Sequence, residues 1–237
     1  MQAERFLYLA LDLGAISFPL AFSFYPKAPY YKKWKHLWPA ILVPALIFLV
    51  WDGLFTRMGV WGFNPRYLTG VYLFNLPIEE VLFFIVVPYS SVFIYEAVVY
   101  FLGKGGWELA GRMTALFLIF FLGTLGLLNT GKWYTSVTFL SLTFFLILLL
   151  YRLKSDFLGK FFFSYLFVLI PFFLMNGVLT GSGLPEPVVW YNDEENLGLR
   201  MATIPVEDTF YGMLLILMNV TMFEYAQEKA EQANPQG

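Results

Sequence analysis

The feature that most constrains this chain is a series of long apolar stretches with few charges among them. Charged residues make up 14% of the 237 positions, against about 25% in soluble domains. A helix that spans a membrane needs about 20 mostly apolar residues. Seven stretches meet that requirement, at 6–25, 38–55, 76–101, 112–128, 133–151, 161–180 and 204–226. The sequence therefore predicts an all-α integral membrane protein with seven transmembrane helices in a lipid bilayer.

Several functional classes are excluded by composition. The chain has no cysteine and a single histidine, His36, which rules out disulfides, thiolate metal sites and cysteine nucleophiles and leaves no set of histidines for a metal site. No basic stripe points to nucleic acid. The N-terminus has neither a basic region nor a small-residue cleavage site, so the first apolar stretch is expected to be a retained helix rather than a signal peptide. The polar segment 227–237 is expected to be disordered.

A short acidic motif occurs twice, first as Asn75-Leu-Pro-Ile-Glu-Glu80 and again as Thr203-Ile-Pro-Val-Glu-Asp208. The number of residues that separates a position in the first copy from the matching position in the second is called the repeat offset here. Glu96 and Glu224 are separated by the same number of residues. Matches at one offset indicate an internal duplication. Each proline is expected in the first turn of a helix, where it loses no needed donor, and the acids suit the positive end of the helix dipole. Two ordinary acidic helix starts are the alternative to a functional role.

The duplication predicts the domain organisation. Gly53-Leu-Phe-Thr56 matches Gly177-Val-Leu-Thr180 at a spacing four residues shorter than the repeat offset, so four extra residues precede the second acidic motif. The first three and last three stretches correspond, which gives a three-helix repeat at 1–103, a linker transmembrane helix within 104–131 and a second three-helix repeat at 132–237. Three membrane crossings alone would invert the second repeat relative to the first. The linker helix adds a fourth crossing, which restores the orientation, so the two repeats are expected to be parallel. Both acidic motifs then lie at one membrane face.

Lysine and arginine are divided unequally between the two faces. The positive-inside rule assigns the richer face to the cytoplasm. This predicts a multi-pass protein of the cell inner membrane with its N-terminus outside, its C-terminus cytoplasmic and both acidic motifs near the outer face. The richer set is Lys27, Lys32, Lys33, Lys35, Lys104, Arg112, Arg152, Lys154, Lys160 and Lys229, and the other is Arg5, Arg57, Arg66, Lys132 and Arg200. On the acidic side, the long connections 56–75 and 181–203 serve either as lids over a site or as an interfacial aromatic belt.

Carboxylates in the membrane are costly and are functional candidates by default. Carboxylates that share a cavity cannot easily all ionise, so such a group can supply a general acid beside a general base. Glu96 and Glu224 are expected at the cytoplasmic interface. The candidates are Glu79, Glu80, Glu207 and Asp208, with Asp12 and Asp52 in addition.

The remaining chemical equipment is aromatic. Phe, Tyr and Trp make up 21% of the chain, and their faces stabilise a cation, although lipid-facing bulk is the plainer explanation for most of the phenylalanines. No phosphate loop, dinucleotide fingerprint or Asp-rich diphosphate motif is present. The inventory favours a reaction in which a proton enters, a carbocation is held and a proton leaves.

The paired Pro-x-Glu-Glu/Asp motifs, with Trp51-Asp-Gly53 and Trp61-Gly-Phe-Asn-Pro65 ahead of the first, resemble the heterodimer-type carotenoid cyclases. Members of that family are two three-helix subunits or a fusion of both through one extra helix, and this chain resembles the fused form over nearly all its length. The resemblance implies cyclisation of lycopene, or a similar linear carotenoid, to β-carotene without net redox change. It carries the catalytic positions onto Glu79, Glu80, Glu207 and Asp208. Because the chain has no dinucleotide motif, no bound flavin or other cofactor is expected.

Residues expected to contact the substrate lie in or near these motifs. The substrate-binding candidates are Trp51, Asp52, Trp61, Phe63, Asn64, Tyr67, Phe83 and Tyr211.

Contact with other enzymes of the carotenoid pathway is a further expectation.

Three other interpretations stay open. A small-solute transporter can share the three-plus-one-plus-three plan, although polar residues such as Asn129, Asn176 and Asn219 are few in the apolar stretches. A carotenoid hydratase would quench the cation with water. A catalytically inert partner of a larger assembly is disfavoured by the presence of both motifs. The sequence does not decide which carboxylate is acid or base, the ring type (β, ε or γ), action at one or both ends, C40 or C50 substrate length, or the oligomeric state.

Overall fold

Residues 4–103 and 105–233 are described by a computed structural model of the chain. Within these ranges, seven helices are long and apolar enough to cross a membrane, which confirms the predicted all-α membrane class. A π-helical turn at Leu148–Leu153 extends α5. The helices are α1 Leu7–Phe22, α2 Trp34–Met58, α3 Ile78–Leu102, α4 Glu108–Leu128, α5 Trp133–Ile147, α6 Leu158–Leu179 and α7 Val206–Ala233.

The connections on one side of the bundle contain six short strands that the sequence analysis does not predict. They form three antiparallel pairs, β1 with β4, β2 with β3, and β5 with β6. The strands are β1 Trp61–Phe63, β2 Tyr72–Leu73, β3 Leu76–Pro77, β4 Val189–Tyr191, β5 Arg200–Met201 and β6 Ile204–Pro205.

The two motif prolines precede their helices, so the expectation that they lie in the first helical turn is wrong. Pro77 has an extended conformation, with φ −65° and ψ 149°, and pairs across the hairpin with Tyr72. Pro205 pairs in the same way with Arg200. Proline fixes φ near a value that suits both extended and helical backbone. The ψ angle of Pro77 is that of an extended strand, so this residue belongs to the hairpin and not to the helix. Both helices therefore begin two residues later than predicted.

The C-terminal segment corrects a second expectation. The predicted disorder from Gln227 onward is wrong as far as Ala233, because α7 continues to that residue. The segment is rich in Gln, Glu, Lys and Ala, which are strong helix formers, and it extends a helix that is already anchored in the bundle. Residues 234–237 of the predicted tail, and Lys104, lie outside the described residues.

The bundle is organised around α3 and α7, the two helices that follow the acidic motifs. They are the most buried of the seven. Helix α3 packs against α1 and α6, and α7 packs against α2 and α5. Helix α4 lies outside this centre, against α5 and α6. Helices α4 and α6 approach closely where Gly159 of α6 meets Trp107, the residue before α4. A side-chain carbon at Gly159 would lie only 2.0 Å from the Trp107 carbonyl oxygen.

Backbone hydrogen bonds in the connections recur at the repeat offset. Asn64 N–H donates to the Val188 oxygen at 2.8 Å, and Asn192 N–H donates to the Val60 oxygen at 2.9 Å. These two bonds flank the β1–β4 ribbon, in which Gly62 lies opposite Trp190. A side-chain carbon at Gly62 would lie 2.4 Å from the Trp190 ring, so the close approach requires glycine.

The four extra residues of the second copy can be located from the next pair of bonds. Val60 N–H bonds to the Phe55 oxygen five residues back, whereas Val188 N–H bonds to the Leu179 oxygen nine residues back. The additional length therefore lies between 180 and 187, in the turn that follows α6. The domain boundaries and the parallel arrangement of the repeats stay predictions.

Candidate active site

A cavity lies beneath the β1–β4 ribbon, and six of the seven helices contribute to its wall. The upper part carries the polar groups, and the part deeper in the bundle is mostly apolar. Its acidic lining residues are Asp52, Glu80 and Asp208. Its aromatic lining residues are Tyr8, Trp61, Phe63, Phe83, Tyr134, Phe172, Tyr191 and Tyr211.

Glu80 reaches the cavity from the first turn of α3. It is 8% exposed, and its Oε2 accepts a hydrogen bond from the Tyr8 hydroxyl at 2.6 Å. Tyr8 lies at the start of α1, so this bond joins α1 to α3 through two residues that are 72 positions apart in sequence. The first acidic helix start thus presents one carboxylate to the cavity, held there by a buried phenol.

Asp52 lines the same wall from α2. It is 1% exposed, and the indole N–H of Trp61 donates to its Oδ1. Its Oδ2 is buried and meets no hydrogen-bond partner among the residues the structure describes. A buried ionised carboxylate with an unpaired oxygen is costly, so this site favours a protonated Asp52.

Asp208 reaches the cavity from the first turn of α7 and accepts two phenol hydrogen bonds. The Tyr134 hydroxyl donates to Oδ1 at 2.5 Å, and the Tyr191 hydroxyl donates to Oδ2 at 2.9 Å. Burial, and then the neighbouring Asp208 carboxylate, raises the pKa of Tyr191 well above its ordinary value. Tyr191 therefore keeps its proton and acts as a donor to Asp208.

The other acid of each motif does not line the cavity. Glu79 is fully buried, and its Oε1 accepts the backbone N–H of Thr69 at 2.7 Å. Glu207 is also fully buried, and its Oε1 accepts the backbone N–H of Leu197 at 2.8 Å and the hydroxyl of Thr135 at 2.6 Å. Adjacent residues of a helix point about 100° apart, so Glu79 and Glu207 hold the connections while Glu80 and Asp208 face inward.

The aromatic side chains form a continuous wall beside the acids. The ring of Trp61 lies 5.0 Å from that of Tyr134 and 6.0 Å from that of Tyr211. Trp51 is not in the cavity lining but contacts Tyr211 from behind, at 5.1 Å. Edge contacts of this kind keep the rings in place, and aromatic rings that line a cavity can stabilise a cation.

The sequence-predicted substrate residues divide into two groups. Asp52, Trp61, Phe63, Phe83 and Tyr211 line the cavity. The remaining three, Trp51, Asn64 and Tyr67, lie outside that lining.

Those three outlying residues have structural contacts instead. Asn64 donates to Glu186 in an exposed connection and accepts the Arg66 backbone N–H. Tyr67 is buried in a small apolar cluster with Tyr8 and Leu68. Their contact with the substrate stays a prediction.

Three further acids lie away from the cavity lining. Asp12 is fully buried in α1, and neither of its oxygens has a partner within the described ranges. Glu96 pairs with Lys33, and Glu224 accepts the Tyr95 hydroxyl at 2.5 Å. Glu96 and Glu224 lie far along α3 and α7 from the acids of the cavity, which makes them suitable controls for the site.

Sequence reasoning missed Tyr8, Tyr134 and Tyr191. Tyr8 and Tyr134 occupy matching places, near the start of α1 and of α5, the first helix of each predicted repeat. Tyr191 occupies the place that the repeat offset assigns to Phe63. A systematic alignment of the two copies would have drawn attention to the tyrosines, but their bonds to Glu80 and Asp208 depend on tertiary packing. Among the described residues, no three acidic or histidine side chains are grouped as metal ligands.

The chain matches known proteins as follows. The family model described as lycopene cyclase matches residues 5–98 and 131–226, two segments that flank α4. A bifunctional lycopene cyclase/phytoene synthase of Aspergillus oryzae (strain ATCC 42149 / RIB 40) is 27% identical over 62 residues. That segment covers 26% of this chain and only 11% of the fungal protein. No solved structure matches. The family match covers most of the chain and confirms the resemblance carried by the acidic motifs, so this chain belongs to the lycopene cyclase family.

Proposed function

We propose that the chain is a membrane carotenoid cyclase that converts the linear ends of lycopene, or a similar carotenoid, to β-rings. The observation that carries the proposal is that Glu80 and Asp208, from the two acidic motifs, line one aromatic cavity. The family match supports the substrate class. The reaction is an intramolecular lyase reaction of the isomerase class.

The proposed reaction balances without an oxidant or a reductant. A carboxyl group gives a proton to a terminal carbon–carbon double bond, which leaves a tertiary cation. A neighbouring double bond attacks that cation, forms the ring and moves the positive charge to a ring carbon. A carboxylate then removes a proton and the ring double bond forms. One proton enters and one leaves, so substrate and product have the same mass.

The cavity wall suits a carbocation intermediate. Trp61, Tyr134 and Tyr211 line the cavity, where aromatic rings can stabilise a cation, and an ionised carboxylate in a low-dielectric site stabilises it further. Both strands of the β1–β4 ribbon contribute residues to the cavity lining, and we infer that the ribbon shields the acids from water. Exclusion of water protects the cation from capture, which favours ring formation over hydration.

The depth of the cavity suits a long apolar substrate. Along α3 its lining extends from Glu80 to Ile94, a rise of about 21 Å at 1.5 Å per residue. Val87, Val168 and Leu215 line the deeper part. We infer that one end of the carotenoid lies beside the acids while its polyene chain follows α3 into the bundle.

We further propose that both acids act near the outer face of the cell inner membrane. The distribution of lysine and arginine supports an outer N-terminus and a cytoplasmic C-terminus. The carotenoid, which dissolves in the hydrocarbon region, then reaches the cavity from the bilayer.

The test is conversion of lycopene by purified protein in liposomes, without ATP or added metal. The expected result is a monocyclic and then a bicyclic product of unchanged mass. Glu96→Gln, at the far end of α3, is the matched control that stays active, whereas Glu80→Gln and Asp208→Asn lose conversion. A product heavier by the mass of one water molecule supports a hydratase instead, and solute flux without any pigment change supports a transporter.

A further inference from the structure

The two carboxylates that face the cavity receive unequal hydrogen bonding. Asp208 accepts one phenol hydrogen bond on each oxygen, from Tyr134 and Tyr191. Glu80 accepts a single phenol bond, from Tyr8. Hydrogen bonds donated to a carboxylate favour its ionised form. The site therefore stabilises a negative charge on Asp208 more than on Glu80.

The neighbours of Glu80 add to this difference. Asp52 lines the same cavity as Glu80, and one of its buried oxygens meets no partner in the described part of the chain. Asn176 is the counterpart of Asp52 in the second copy, because the two are separated by the same number of residues as Gly53 and Gly177. Asn176 is a neutral amide and also lines the cavity. Two buried carboxylates in one cavity do not both ionise without a large cost, so the Glu80 side holds at least one proton.

A second substitution of the same kind lies one helical turn along from Tyr8 and Tyr134. Asp12 follows Tyr8 by four residues, and Thr138 follows Tyr134 by four residues. Asp12 is fully buried with both oxygens unpartnered among the residues described, so the neutral acid is favoured there too. The N-terminal half (α1–α3 with their connections) thus carries two acids where the C-terminal half (α5–α7 with theirs) carries Asn176 and Thr138.

On the other side, a cation lies beside one of the two tyrosines that donate to Asp208. The Arg200 guanidinium is 5.9 Å from the centre of the Tyr191 ring, and the hydroxyl of that ring donates to Asp208. In the first copy, the repeat offset places the uncharged Tyr72 at the position of Arg200. Arg200 also pairs with the exposed carboxylate of Asp193, so its charge adds only a small preference for an ionised Asp208.

From these asymmetries we propose that the two sides of the cavity have opposite proton roles: Glu80 gives the proton that starts cyclisation, and Asp208 removes the proton that ends it. This division rests on the proposed cyclase function. In the first step the Glu80 O–H bond breaks and a C–H bond forms at the terminal double bond of the substrate. In the last step a C–H bond of the new ring breaks, its electrons form the ring double bond, and Asp208 takes the proton. Transfer of that proton back to Glu80 restores the starting state.

Heavy water separates the two roles because a donated proton becomes deuterium. Lycopene is incubated in D₂O with Glu80→Gln and with Asp208→Asn in liposomes, and the recovered carotenoids are analysed by mass spectrometry. Without the donor no cation forms, so lycopene recovered from Glu80→Gln is unlabelled, with labelling at least about 10²-fold slower than with the native chain. Without the acceptor the cation still forms, so Asp208→Asn returns deuterium-labelled lycopene, ring isomers or hydrated carotenoids.

Conservative variants distinguish a lost proton carrier from a lost fold. Glu80→Asp keeps a carboxyl group on the donor side and is expected to restore part of the labelling. Labelling by Glu80→Gln but not by Asp208→Asn overturns the assignment by reversing it. Absence of labelling with both variants also overturns it, since Asp208 would then be needed before the cation forms. Failure of the unsubstituted chain to make any cyclic product contradicts the cyclase proposal itself and is recognised separately.

Discussion

Glu79→Gln and Glu80→Gln are expected to affect different properties of the protein, although the two residues are adjacent and both are buried. Glu79 accepts the Thr69 backbone N–H at 2.7 Å and does not line the cavity. Glu80 faces the cavity and accepts the Tyr8 hydroxyl. The first substitution therefore perturbs the attachment of a connection, and the second removes a proton carrier.

The magnitude for Glu79→Gln follows from its hydrogen bond. Glutamine keeps an acceptor oxygen, so a hydrogen bond from the Thr69 backbone N–H can persist. The new amide N–H₂ replaces an oxygen that has no partner among the described residues, and an unsatisfied buried donor costs about 1–3 kcal/mol. We expect the unfolding temperature to fall by several degrees, at about 2–4 °C per kcal/mol for a chain of this size, while the turnover rate of the folded protein stays close to native.

The magnitude for Glu80→Gln is a change in rate. Loss of a general acid costs about 10²–10⁴-fold, which is about 2.7–5.4 kcal/mol in the activation free energy. The assay measures the initial rate of cyclic product, normalised to inserted protein, together with thermal unfolding in detergent. Glu207→Gln and Asp208→Asn form a second adjacent pair with the same expected division. Equal losses of rate within each pair, or native rates with both Glu80→Gln and Asp208→Asn, would refute the reasoning.

Three further predictions test the supporting structure. Tyr8→Phe removes the hydroxyl donor that stabilises ionised Glu80 after proton transfer, so the cyclisation rate is expected to fall about tenfold, consistent with one hydrogen bond to a charged group, with little change in lycopene binding measured by absorbance titration. Gly159→Ala places a carbon 2.0 Å from the Trp107 oxygen and is expected to cost about 1–3 kcal/mol of unfolding free energy, whereas Gly14→Ala, with nothing within 4 Å, leaves the unfolding temperature within a few degrees of native. A reporter fused to the C-terminus is expected to be active in the cytoplasm, and activity confined to the periplasm would reverse the proposed orientation.

The transmembrane helices could be predicted from sequence because each depends on a local property, a long apolar run. Their ends could not be read as well. Helix α2 begins at Trp34 and α7 continues to Ala233, since a helix extends through polar residues that hydropathy does not count. The starts of α3 and α7 were displaced by the β-hairpins that precede them, and those hairpins are too short to leave a periodic pattern.

The candidate site was predictable in part for a related reason. The duplicated motifs identified four acids, but the sequence does not say which acid of each pair points inward. That choice depends on how α3 and α7 rotate against their neighbours, which brings Thr69 to Glu79 and Tyr8 to Glu80. The tyrosine donors of Asp208 lie 74 and 17 residues away in sequence, so only the folded chain reveals them.

The central claim is that a proton delivered inside the cavity starts ring formation, and the isotope content of the cyclic product tests it most directly. The unsubstituted protein in liposomes is supplied with lycopene in D₂O, and the bicyclic product is isolated and its mass determined. The account predicts one deuterium for each ring formed, because each ring receives one donated proton and loses one that was originally bound to carbon. A cyclic product without deuterium would contradict proton-initiated cyclisation.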